Sequence, residues 1–87
     1  MRGIAGRYVR RVEVAESVTG EGRVMPERVL WEDGRVFEVD EVLDVRWAHA
    51  RRTSGAGMRY TVRVCGETTY LFRDAEGWFC EAKEAEL

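Results

Sequence analysis

The sequence predicts one small all-β domain spanning residues 1–87, a closed or nearly closed antiparallel barrel of five or six short strands. Apolar and polar residues alternate along much of the chain, glycine-containing turn sequences separate the alternating segments, and 87 residues suffice for only one domain. Strands of this number and length favour an SH3-like barrel or roll, and the alternative is an OB-like barrel.

The C-terminal third contains the clearest alternation. Every second residue of Met58–Val64 is apolar, which predicts a strand with one buried face, with Cys65 at its end. Gly66-Glu67 suits a tight hairpin turn, and the β-rich segment Thr68–Arg73 predicts the next strand. A four-residue loop at 74–77 leads to a last strand at Trp78–Ala82, so this third is predicted to be a three-stranded meander.

The middle of the chain predicts a second hairpin. Arg28–Glu32 leads into Asp33-Gly34, a pair that favours a type I′ turn, and Arg35–Trp47 follows as a long strand. A bulge or bend is expected at Asp40-Glu41, because the alternation is interrupted there. A helix is the competing interpretation of residues 39–50, and β-branched content favours the strand. The predicted buried positions of the long strand are Phe37, Val39, Leu43, Val45 and Trp47.

The remaining segments are predicted from weaker signals. Arg7–Val14 is expected to be a strand, followed by a flexible loop at 19–22 and by Pro26 at the start or edge of another strand. Residues 51–57 are expected to form a second loop. Lys83–Leu87 is expected to be a short polar tail.

Composition excludes several classes of function. The net charge of −2 argues against a strongly basic nucleic-acid protein, although a local basic patch remains compatible with it. No apolar segment is long enough for a membrane span or a signal peptide, so a cytoplasmic location with free thiols at Cys65 and Cys80 is expected. No cofactor motif is present, and two cysteines with His49 make a poor zinc set, so neither a cofactor nor a metal is expected.

Catalytic chemistry has little support in the sequence. His49 could act as a general base, but no nucleophile is placed near it, and Ser17 and Ser54 carry the only serine hydroxyls. The segment Thr53–Gly57 lacks the Gly-Lys-Ser/Thr ending of a phosphate-binding loop. The sequence therefore predicts a protein that is not an enzyme.

An arginine cluster is the best lead towards a ligand. The stretch from Val45 to Val64 contains five arginines and no acidic residue. Such a set could grip nucleic-acid phosphates or another anion through guanidinium groups. Cross-strand pairing of Arg59 and Arg63 with Glu38, Asp40 or Asp44 on the neighbouring strand is the alternative and is favoured. The five arginines are Arg46, Arg51, Arg52, Arg59 and Arg63.

Two adjacent aromatic residues are the best candidates for a protein interface. Trp78 and Phe79 must point to opposite faces if both lie in one strand. One of them is therefore expected to point outward, where it would be exposed or covered by the N-terminal segment or a partner chain.

A spaced pattern in the chain resembles small bacterial proteins of unassigned function. It comprises W-x-D-G-R beginning at Trp31, V-L-D beginning at Val42, R-Y-x-V beginning at Arg59 and W-F-x-E beginning at Trp78. The resemblance covers residues 26–81 and implies a small β-barrel in a bacterial cytoplasm. Its motifs belong to hairpins and strands, so it implies no catalytic residues.

Two functional hypotheses follow. The first is a non-enzymatic interaction module that binds a protein or associates with itself as a homodimer, through an open strand edge or an outward aromatic ring. The second is weak nucleic-acid binding through the arginine cluster.

Overall fold

The computed structural model describes residues 7–49 and 56–83, which form six antiparallel strands. Each strand pairs with its neighbours along the chain, and β6 pairs with β1, so the sheet closes into a barrel. The predicted all-β fold class is confirmed, and residues 39–49 form a strand rather than a helix. The strands are β1 (Arg7–Val18), β2 (Val24–Leu30), β3 (Val36–His49), β4 (Ala56–Val64), β5 (Glu67–Asp74) and β6 (Gly77–Lys83).

The main core lies inside the barrel and is built from alternate residues of the strands. Tyr60 and Trp78 form its centre, with ring centroids 4.9 Å apart. The Tyr60 hydroxyl donates a hydrogen bond to the Val24 carbonyl at 2.8 Å, and Trp78 Nε1 donates one to Glu16 at 2.7 Å. Both buried rings therefore keep their polar atoms satisfied. Burial raises the pKa of Tyr60. The buried members of this core are Val29, Tyr60, Val62, Leu71 and Trp78.

The long strand β3 carries two bulges. Its register against β4 shifts between Val39 and Glu41, which confirms the predicted bend, and again between Val42 and Asp44. The second bulge was not predicted, and it reverses the expected burial around it. Val42 packs against the core, whereas Leu43 is 42% exposed, so the prediction of a buried Leu43 was wrong.

The register shifts in β1, between Ala15 and Glu16, and in β3 accompany bends that let each of these long strands pair with two different strands of the barrel. In β3, Val36–Glu38 pairs with β2, and residues 39–49 pair with β4. In β1, residues 7–12 pair with β6, and residues 13–18 pair with β2. A short chain can close a barrel in this way because its long strands each contribute to two neighbouring ladders. Pro26 lies inside β2 beside a register shift, consistent with its missing N–H group.

The β2–β3 hairpin has a longer loop than predicted. Gly34 donates a backbone hydrogen bond to Trp31 at 2.9 Å, and Trp31 donates one to Arg35 at 2.8 Å. Of these loop residues only Gly34 has a positive φ, at 93°, so this is a type I turn followed by a left-handed glycine. The type I′ prediction was wrong, because Asp33 keeps a negative φ and accepts a hydrogen bond from the Arg35 N–H.

The two turns of the C-terminal meander also differ from the prediction. Val64 pairs directly with Glu67, so the β4–β5 loop is Cys65-Gly66, one residue earlier than predicted. Its two φ angles, 53° at Cys65 and 79° at Gly66, are those of a type I′ turn. Asp74 pairs with Gly77, which reduces the predicted four-residue loop to two residues between the ladder ends.

Cys65→Asn is expected to stabilise the protein. Asparagine tolerates a left-handed backbone better than cysteine, and Asn-Gly is the preferred type I′ pair. We expect the free energy of unfolding to rise by about 0.5–1 kcal/mol, measured by urea denaturation. Cys65→Val at the same exposed site should lower it, because a β-branched residue resists this conformation. Equal stabilities for the two variants would contradict the assignment of the turn.

Parts of two predicted segments lie outside the described residues. Ala56 and Gly57 of the predicted 51–57 loop belong to β4, and residues 51–55 are outside the described ranges. Lys83 ends β6, and the rest of the predicted polar tail, residues 84–87, is likewise outside. The predicted loop at 19–22 is a defined turn, closed by hydrogen bonds from Thr19 to Arg23 and from Gly22 to Thr19.

Candidate interaction surfaces

The described arginines of the predicted cluster lie close together on the outer face of the barrel. Arg46 of β3 stands directly opposite Arg59 of β4. Arg46 Nε donates a hydrogen bond to Asp44 at 2.7 Å, and Arg63 forms an ion pair with Glu41. The Arg46 hydrogen bond is also the main reason that the pKa of Asp44 is lowered. The favoured cross-strand pairing therefore occurs at Arg63, whereas Arg46 pairs with a carboxylate of its own strand.

The acidic partners differ from those predicted for Arg63. Glu38, one of the three predicted partners, pairs with Arg28 across the β2–β3 ladder at 2.9 Å. The bulge at Asp40 places Glu41 opposite Arg63, so the neighbouring carboxylate takes that role. Arg51 and Arg52 lie outside the described residues.

Arg59 differs from the other two arginines. Its guanidinium carbon lies 4.6 Å from the centre of the Tyr70 ring, and its Nε atom is buried without a hydrogen-bond partner. A cation over an aromatic ring is stabilised by the ring's negative face, so Tyr70 holds Arg59 in place. Within the described residues Arg59 is the member of the cluster not paired to a carboxylate, and one such group makes a small anion site.

Trp78 and Phe79 point to opposite faces, and both are buried. Trp78 belongs to the main core, while Phe79 is fully buried against Phe72 in a second cluster, separate from the main core. The two phenylalanine rings are stacked with centroids 5.0 Å apart. Neither ring of the predicted interface pair is therefore exposed on the surface, where a partner protein could contact it.

The second cluster is fastened by an ion pair between distant parts of the chain. Arg11 lies over the Phe79 ring at 5.1 Å and donates two hydrogen bonds to Asp74, at 2.7 and 2.8 Å. Those bonds lower the pKa of Asp74 to about 2. The same carboxylate accepts the Glu76 N–H of the β5–β6 turn. This corner of the barrel is structural, because its groups satisfy one another.

The barrel wall is open between β5 and β6. These strands pair only from Phe72–Phe79 to Asp74–Gly77. On the side of Phe72 away from the β5–β6 turn, residues 67–71 pair with β4 at one edge. At their other edge they pair with no strand within the described ranges. A cavity of about 370 Å³ lies here. Its lining includes Trp31, Phe37, Thr69, Tyr70, Leu71 and Cys80.

A second open edge belongs to β3. Past Glu38, β3 pairs with β4 and, in the part of the chain that the structure describes, with no strand on its other side. Trp47 lies on this stretch and is 63% exposed, so the prediction that it is buried was wrong. A smaller cavity of about 290 Å³, between Met25 of β2 and Val45 of β3, opens beside it.

The described residues offer no cluster of metal ligands. No group of three or more His, Cys, Asp or Glu side chains could hold an ion there. Cys65 is exposed at a hairpin tip, and Cys80 lines the cavity between β5 and β6. His49 ends β3 and is exposed. Among the described residues there is no helix long and apolar enough to span a membrane.

In comparisons with known proteins, the chain matches no family model, no curated protein and no solved structure.

Sequence reasoning allowed for an open strand edge but located neither of the two edges described above. The position at which a strand stops pairing with its neighbour depends on the register of both strands. No glycine or other residue typical of a bulge marks the register shift at Leu43 in the sequence. One available signal was Thr68-Thr69-Tyr70, a segment without apolar alternation at the start of β5. A strand with a polar side chain towards the barrel interior, as at Thr69, is typical of a wall that is not closed there.

Proposed function

We propose that this protein is a non-enzymatic interaction module that captures an extended segment of another protein in the opening between β5 and β6. The observation that carries the proposal is the unpaired edge of residues 67–71 beside the aromatic-lined cavity. An unpaired strand edge offers N–H and C=O groups to an incoming strand. A cytoplasmic location, where cysteines stay reduced, is part of the proposal.

The cavity supports a peptide rather than a flat contact. In strand addition, main-chain hydrogen bonds give affinity, and pockets for alternate side chains give specificity. The lining is mostly apolar, with Trp31, Phe37 and Leu71 among its residues, and Arg35 and Thr69 add polar groups. At about 370 Å³ it can hold a large apolar side chain of the captured segment. Tyr70, 41% exposed at the rim, adds a ring for contact with the peptide.

Nucleic-acid binding, the second hypothesis, has weaker support. Phosphate affinity grows with the number of cations available to replace counterions. Arg46 and Arg63 are already paired with carboxylates, which leaves Arg59 as the available cation among the described members.

The proposal is tested by selecting peptides from a display library of random linear sequences. Peptides that bind should have apolar side chains at alternate positions, and should slow amide hydrogen exchange in residues 67–71. Thr69→Trp fills the cavity from its rim and is expected to reduce binding at least tenfold.

Thr68→Trp is the matched control. Thr68 is the neighbouring exposed residue and pairs with Arg63 on the opposite face, so the same substitution leaves the cavity open. Binding should be retained in this variant. Failure to enrich any peptide, or equal binding by the two tryptophan variants, contradicts the proposal.

A further inference from the structure

We propose that the free edge of β3 joins two copies of this chain, through antiparallel pairing of residues 44–46 about a two-fold axis at Val45. This surface is separate from the β5–β6 opening, so the inference does not depend on the proposed function. Its geometric basis is that β3 continues to His49, whereas its pairing with β2 ends at Glu38.

The usable part of the edge is short and regular. Bulges at Asp40 and Leu43 disrupt the first half of the edge, and such irregularities normally prevent pairing with another chain. From Asp44 to His49 the register against β4 runs without a shift. The strand therefore offers a regular row of backbone groups in the stretch that also contains the exposed Trp47.

Charge selects the register of the two copies. Residues that face each other across antiparallel strands point to the same side of the sheet, so a residue cannot face its own sequence neighbour in the other copy. A two-fold axis must therefore lie at one residue, which faces the same residue of the other copy. An axis at Arg46 places two arginines opposite each other, which is unfavourable. An axis at Val45 places Asp44 of each copy opposite Arg46 of the other, so the Asp44–Arg46 ion pair within each chain can be exchanged for one between the copies and no like charges meet.

The apolar residues fit the same register. With the axis at Val45, the two valines meet at the centre. Trp47 of each copy then lies at the end of the paired stretch, next to the bulge that contains Leu43 of the other copy. Trp47 and Leu43 are 63% and 42% exposed in the single chain. Any coverage of these side chains by the second copy removes apolar surface from water, which favours association. The pattern Asp-Val-Arg is thus complementary to itself when one copy is reversed.

The test is the oligomeric state of charge-exchange variants, measured by sedimentation over a range of protein concentrations. The unmodified protein should dimerise reversibly. Arg46→Asp places like charges opposite each other twice per dimer and should weaken association about tenfold or more. Asp44→Arg should have a similar effect. The double variant, Asp44→Arg with Arg46→Asp, restores both pairs and should dimerise as the unmodified protein does.

Thermal unfolding of each variant at low concentration checks that its barrel is intact. Thr69→Trp should dimerise normally, which separates this surface from the peptide site. A protein that stays monomeric at millimolar concentration overturns the inference. So does a dimer that the single charge reversals leave unchanged, or one that the double variant does not restore.

Discussion

Phe79→Ala is expected to lower the free energy of unfolding by about 3–5 kcal/mol, as is usual for removing a fully buried phenylalanine. Phe79 has no exposed surface, and its ring stacks on Phe72 at a centroid distance of 5.0 Å. Removing it leaves a cavity next to Arg11, whose guanidinium lies over the ring. Urea denaturation at neutral pH measures the change.

Tyr70→Ala provides the comparison. Tyr70 is an exposed aromatic residue of β5 that contacts Arg59, so its removal should cost about 1 kcal/mol or less. It should, however, weaken peptide capture at the β5–β6 opening. If Phe79→Ala instead behaved like Tyr70→Ala in stability, Phe79 would be a surface residue available to a partner, and its place in the second core would be wrong.

The firmest sequence predictions concerned segments whose pattern is entirely local. The alternation between Met58 and Val64 follows from a strand with one face on the core, and the structure places Tyr60 and Val62 there. The bend at Asp40-Glu41 was detectable because a charged residue occupied an expected buried position. In such segments the residue types themselves record which side of the sheet they face.

The failures arose where non-local register decided the outcome. Leu43 and Trp47 fit a buried parity, yet a bulge next to Leu43 and the end of the neighbouring strand leave both exposed. The separation of β5 from β6, which affects residues 67–71 before Phe72, is also a property of the two strands together. No local pattern in either strand records the distance to the other, so the candidate peptide site could not be predicted from the sequence.

The arginine cluster shows an intermediate case. Counting charges suggested that pairing was the better interpretation, and Arg46 and Arg63 are indeed paired. The choice of Glu41 for Arg63 followed from the bulge, and the contact of Arg59 with Tyr70 followed from the β4–β5 register. Composition therefore predicted the kind of interaction, whereas the individual partners required the fold.

Gly57 illustrates how a structural requirement can look like a loop signal. The sequence Gly55-Ala56-Gly57 predicted a loop, because glycine is unfavourable in strands. Gly57 is instead a buried residue of β4, paired with Ala48. A Cβ atom built on it would lie 2.5 Å from the carbonyl oxygen of Arg73, which belongs to the backbone of β5. The glycine is present because two strands approach closely there.

Gly57→Ala is therefore expected to destabilise the protein by about 3 kcal/mol, near the upper end of typical overpacking costs. The added methyl group must displace the backbone at Arg73, close to the short β5–β6 ladder, and that ladder is one of the contacts that close the barrel. Gly20→Ala is the matched control, since no atom lies within 4 Å of its added Cβ, and its effect should stay within about 0.5 kcal/mol. Thermal and urea unfolding of both variants provide the measurement. Comparable stability of the two variants would show that β4 and β5 do not approach each other as closely at this point, and the position of the β4 start would have to be revised.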